Sequence, residues 1–93
     1  MIRSFRCPET ERIFRRERSR KLPLDIQKTA LRKLLMIHAA VSLDDLRVPP
    51  NNQLEALKRD RAGQHSIRIN RQWRVCFTWK DGAAEGVEIV DYH

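Results

Sequence analysis

The sequence closes on Asp91-Tyr92-His93, which sets a carboxylate, a phenol and an imidazole side by side. All three can take or give a proton. An imidazole titrates closest to neutrality of the ordinary side chains, so His93 suits general acid or base work. The plain alternative is a frayed, solvated tail, the usual state of a terminus that nothing ties down. The difference rests on whether a preceding strand carries these residues to the rim of a surface that also holds cations. The cations available are Arg74 and Arg68, with Lys58 and Arg61 upstream. Two arginines on one sheet face can grip a phosphate and neutralise charge that develops during phosphoryl transfer. Taken singly, each is equally an ordinary surface charge. In RNA a 2′-hydroxyl can attack the neighbouring phosphate once one group removes its proton and another protonates the leaving oxygen. Such a set calls for no metal and no cofactor, and no G-x-x-x-x-G-K, H-E-x-x-H or paired-cysteine motif offers a rival chemistry.

Composition points the same way. Ninety-three residues with Lys+Arg 19 against Asp+Glu 12 give a net charge of +7. That excess, most of it arginine, favours a polyanionic partner, nucleic acid or an acidic protein, although basic surfaces also serve solubility. The length suits one domain spanning 1–93, with room for one modest core. Cys7 and Cys76 stand far apart and outside any C-x-x-C spacing, which argues against a disulfide framework or zinc site and fits a reducing cytoplasm. The N-terminus lacks the apolar stretch of a secretory signal, and no 18-residue apolar run occurs, so no membrane association is expected.

The elements that must position these groups follow from periodicity. Ile2 to Arg6 alternates and stops at Cys7-Pro8, as a short strand would. Pro8 with Glu9 and Glu11 then opens a helix over roughly 8–18. Its cationic continuation, Arg15 to Lys21, reads as a solvated face that can also lie along a phosphate backbone. Pro23 opens a second helix in which Ile26, Ala30, Leu34, Ile37 and Val41 form an apolar stripe widened by Leu31, Leu35 and His38. Lys28, Arg32 and Lys33 fall on other faces and should be exposed. His38 reads as a neighbour of the core rather than a ligand.

After a proline- and asparagine-rich loop, 47–52, the period changes to two. Strands are expected over 54–58, 65–69, 73–79 and 87–93. Trp73, Val75, Phe77 and Trp79 share one face of the third of these, and Arg74, Cys76 and Thr78 the other. The fold class is therefore α+β: an N-terminal strand, two helices, then an antiparallel sheet of three to four strands with the helices packed on one face. On this reading Arg74 is displayed on the open face, with Arg68 beside it.

Three stretches also carry a family resemblance. Leu54 to Ile69, then Gln72-Trp73-Arg74-Val75-Cys76-Phe77, and the ending Val87 to His93 resemble the HigB branch of the RelE/ParE toxin superfamily, and the opening Met1 to Phe5 matches as well. The resemblance covers essentially the whole chain. It implies a RelE-like fold and a bacterial type II toxin–antitoxin system. The toxin would be an endoribonuclease that enters the ribosomal A site and cuts mRNA, restrained by a helix-turn-helix, HigA-like antitoxin. By matching motifs, Lys58 and Arg74 would stabilise the scissile phosphate, Asp91 and His93 would serve proton transfer, and Tyr92 would orient or stack on a nucleotide. Glu55 is a departure, since some HigB proteins carry a histidine there, and a carboxylate beside a phosphate repels. The resemblance leaves open a ParE-like inhibitor of DNA gyrase, and a catalytically weakened toxin that acts only by binding.

Overall fold

The computed structural model describes residues 1–92. Helix α1 (Pro8–Phe14) starts at its proline and carries Glu9 and Glu11 in the first turn, where the helix dipole favours them. It is shorter than expected because Arg16 takes the left-handed region at φ 64°, which leaves the rest of the cationic run outside the helix. Buried Ser19 anchors that run. Its Oγ donates to Glu9 Oε1 at 2.7 Å, and Gln27 Nε2 donates to its carbonyl at 2.8 Å.

Helix α2 (Leu24–Ala39) buries Ile26, Ala30, Leu34 and Ile37, as their spacing requires. Full burial of each large aliphatic side chain contributes about 1.5–3 kcal/mol of transfer free energy. Three expectations for this helix change. Val41 lies past the helix end, where Ala40 is already extended, and is 82% exposed. Leu35 does not widen the core stripe but remains exposed. Lys33 was expected in solvent and is buried, because the following segment folds back over it. There Asn52 accepts the Lys33 ammonium at 2.6 Å through Oδ1 and donates through Nδ2 to the carbonyls of Leu46 and Val48. His38 is exposed, yet its Nδ1 accepts the Ile2 N–H at 3.1 Å and its ring meets Phe14 edge-on.

The sheet runs β1 (Glu55–Ala56), β2 (Gln64–Arg68), β3 (Trp73–Lys80), β4 (Ala83–Asp91), in that order and antiparallel throughout. Asp81 and Gly82, both at positive φ, make the two-residue turn between β3 and β4. Gly86, at φ 60°, sits where the β3–β4 register shifts, so a bulge enters β4 there. The N-terminal residues form no full strand. Ile2 and Phe5 bridge Ala84 and Val87 in parallel, and Thr10 Oγ1 then accepts the Ile89 N–H at 2.9 Å. Together they cover the β4 edge, which would otherwise be open to another strand. The core lies between α1, α2 and one sheet face, with Ile67, Val75, Phe77, Val87 and Ile89 on the sheet side.

Candidate active site on the outer sheet face

Directly paired residues of an antiparallel ladder project to the same side, and successive residues alternate. With Val75, Phe77 and Ile89 turned to the helices, two rows form on the other face. One is Glu55, Ser66, Cys76, Glu88, and the other is Arg68, Arg74, Val90. Tyr92 lies on the same side one pair beyond the second row, its backbone N–H donating to the Gln72 carbonyl at 2.6 Å. The ending is thus held to the sheet as far as Tyr92. His93, expected at this site, lies outside the described residues.

Arg74 is on the expected face but not in the expected state. It is only 8% exposed, and the Gln53 carbonyl, just before edge strand β1, caps it from that side of the sheet. Its Nε donates to Ser66 Oγ at 2.7 Å, and Nη2 donates to the Ser66 carbonyl at 3.3 Å and to the Gln53 carbonyl. Gln53 can present that carbonyl because it takes a left-handed conformation, φ 46°, at the end of the 3-10 turn Pro50–Asn52. Glu55 Oε1 stands 3.7 Å from the Arg74 Nε as its charge partner, with about half of its side chain in solvent. A planar guanidinium held from several sides is pre-oriented, whereas its carboxylate partner is free to give way.

The other cations differ in what they can offer. Arg68 is the direct ladder partner of Arg74 and is half-buried. Its charge, with burial as the larger cause and Arg32 second, lowers the pKa of Lys33. Arg61 is engaged: its Nη1 donates to Glu88 Oε1 at 2.9 Å and to Gln64 Oε1 at 3.1 Å. The bond to Glu88 chiefly raises its pKa, and Tyr92 is near enough to add to the shift. Lys58 is exposed, just before the 3-10 turn Arg59–Arg61. Its neighbour Leu57 donates to the Gln64 carbonyl at 2.9 Å, which holds the segment beside β2. Cys76 is buried beneath these groups, and burial raises its thiol pKa, which disfavours the reactive thiolate.

Asp91 and Tyr92 project to opposite sides of the strand end. Asp91 pairs with Trp73 in the ladder and so belongs to the helix-facing side, where Gln72 Nε2 donates to its Oδ2 at 3.1 Å. The face therefore gathers Glu55, Arg68, Arg74 and Tyr92, with Arg61 at its side, while Asp91 sits round the strand end. Ser66 and Gln53 escaped the sequence reading. Ser66 was within reach of it, since the two-residue period puts it on the polar side of β2 with Arg68; nothing local marks Gln53. The cationic run after α1 forms a separate hollow of about 1030 Å³ lined in part by Arg12, Arg18, Arg20 and Lys21.

This arrangement of helices and sheet is that of the RelE-like toxins. The YoeB–YefM complex from Staphylococcus aureus aligns with a TM-score of 0.60 at 19% identity, over 100% of this chain and 98% of that one. YafQ from E. coli strain BL21(DE3) aligns at 0.55 and 10% identity, over 98% and 93%. The family described as the RelE-like toxin of type II toxin-antitoxin system HigB matches residues 3–93. Toxin HigB-1 of Vibrio cholerae serotype O1 is 43% identical over 68 residues, covering 73% of this chain and 72% of that protein. A protein of Haemophilus influenzae with no assigned role is 39% identical over 61 residues, 66% of this chain and 60% of its own length. The chain belongs to the HigB-like family of type II toxins.

Proposed function

We propose that this toxin is a ribosome-dependent endoribonuclease that cuts mRNA in the A site and so stops translation. The observation that carries the reading is Arg74, a guanidinium fixed in orientation by Ser66 and Gln53 on a face shared with Arg68 and Tyr92. A cation oriented before substrate arrives stabilises developing phosphoryl charge without reorganising at the moment of reaction. The scissile phosphodiester takes the place of Glu55 against Arg74, with exposed Lys58 closing from the adjoining segment. His93 accepts the proton of the 2′-hydroxyl, and O2′ then attacks phosphorus. The P–O5′ bond breaks and O5′ takes up a proton from water, leaving a 2′,3′-cyclic phosphate and a 5′-hydroxyl end. Tyr92 stacks on the flanking nucleotide, and Arg68 steers the RNA backbone. Arg61 acts through Glu88 and Tyr92. Asp91, turned to the other side with Trp73, holds the end of β4 through Gln72 and assists His93.

The net charge of +7 supports association with ribosomal RNA. A toxin acting on ribosomes would work in the cytoplasm, restrained by a helix-turn-helix, HigA-like antitoxin. The deciding experiment supplies the purified chain to programmed ribosomes and maps the mRNA ends. Wild type should cut on the ribosome, and Arg74→Lys and His93→Ala should not. Undiminished cutting by both variants would remove the site assignment. Intact mRNA together with inhibition of gyrase supercoiling would replace the nuclease with a gyrase inhibitor.

A further inference from the structure

Helix α2 carries a second face that the fold covers only in part, with Leu31 and Met36 half-buried against the core and Leu35 exposed. Lys28, Leu31, Arg32, Leu35, Met36 and Ala39 line a shallow depression of about 420 Å³ along it. At about 100° per residue their mean direction lies roughly opposite the buried stripe of Ile26, Ala30, Leu34 and Ile37. Leu24, 64% exposed, extends the same face by a turn, and Leu35 is 37% exposed within it. An amphipathic helix needs one apolar stripe to reach its core, and the outward face is ordinarily polar. Here the outward face has an apolar strip some three turns long, with Lys28 and Arg32 in one i, i+4 row beside Leu31 and Leu35.

We propose that this face is the docking surface for an amphipathic helix of the antitoxin, one with aliphatic residues toward Leu31 and Leu35 and acidic residues toward Lys28 and Arg32. The inference rests on membership of the toxin–antitoxin family and not on the cleavage reading. Charge and shape choose among occupants. A second copy of this chain would bring Lys28 and Arg32 against their own images on a molecule of net charge +7. A nucleic acid would find a wall of leucine and methionine where phosphates need donors. The span from Lys28 to Ala39, about 17 Å, matches about three turns of a helix lying along α2. Acidic residues on such a helix would also steer its approach to a basic toxin.

The test takes the product of the reading frame adjoining this chain's own and measures its affinity by calorimetry, with hydrogen exchange followed across residues 24–40 of the toxin. Binding of wild type should protect the exposed flank of α2. Leu35→Glu should weaken affinity about tenfold or more. Arg32→Glu should weaken it less, and an acidic-to-basic change on the partner should restore that loss in Arg32→Glu. All variants should still arrest translation when expressed alone, which separates this inference from the cleavage reading. Since hydrogen exchange is read on wild type, a variant that fails to fold does not decide the outcome. Unchanged affinity in both variants, or no protection along α2, would overturn the proposal. So would a self-dimer, or binding to anionic vesicles, that Leu35→Glu abolishes.

Discussion

Arg74 and Ser66 meet diagonally across β2 and β3, the Arg74 Nε donating to Ser66 Oγ at 2.7 Å. A buried serine is thereby the seat of the cation on which the proposed chemistry turns. Ser66→Ala removes the acceptor and leaves a nearly buried guanidinium short of one partner. Such a loss costs about 1.5–3 kcal/mol, visible as a lower denaturation midpoint. If Arg74 must be oriented to act, cleavage on ribosomes should fall about 10²-fold as well, in kcat more than in KM. A stable Ser66→Ala protein with unchanged kcat would show that Arg74 needs no such seat.

Glu55 faces Arg74 at 3.7 Å and competes for the charge that a phosphate would use. Glu55→Gln keeps the size of the side chain and deletes that charge. RNA oligonucleotides should bind this variant a few-fold more tightly, with a steeper salt dependence, because one like charge has been removed from the proposed phosphate site. Fluorescence titration across salt concentrations measures both effects. If Glu55 were instead the proton acceptor, Glu55→Gln would bind normally and lose cleavage.

The Lys33–Asn52 contact ties α2 to the loop that delivers the Gln53 carbonyl to Arg74. Lys33→Met strands the Asn52 Oδ1 without its donor and should destabilise the fold by about 1–2 kcal/mol near neutrality. The lysine also has a pH signature. Burial, then the charges of Arg32 and Arg68, holds its pKa below the ordinary 10.5. The folded chain therefore releases this proton more readily than the unfolded chain. The cost of the buried charge is fully present at neutral pH and fades as pH rises from the lowered value to 10.5. Denaturant titrations over that range should show the difference between wild type and Lys33→Met shifting in favour of wild type.

Asp45 closes the capping box that follows α2. Its Oδ2 accepts the Val41 N–H at 2.8 Å and the Ser42 N–H at 3.1 Å. The Ser42 bond is the larger cause of its lowered pKa, with the Val41 bond second. A depressed carboxylate stabilises the fold above its unfolded value, here the ordinary 3.8, and loses that contribution as pH falls through the folded one. Asp45→Asn should thus be less stable than wild type at neutral pH and converge with it in acid. Thermal melts along a pH series would show the convergence, and a difference that persists in acid would point to packing instead.

Periodicity in the sequence determined much of this protein. The i, i+3, i+4 spacing of Ile26, Ala30, Leu34 and Ile37 was enough to set α2, and the alternation from Trp73 to Trp79 was enough to set β3 and to put Arg74 opposite the core face. Both patterns are local consequences of how side chains leave a helix or a strand. The motifs around Arg74 and at the C-terminal end also carried the family. Burial was another matter, because it depends on which distant segment lies on top. Lys33 disappears under Asn52, and Arg74 under Gln53, only when the loop after α2 folds back to the β1 edge of the sheet. The same holds for Asp91, whose separation from Arg74 and Tyr92 is a matter of ladder register, and for Leu35, which local spacing assigned to the core stripe. Alternation names the two sides of an element, and only the tertiary contacts decide which side is covered, by what, and which charges are left to meet a partner.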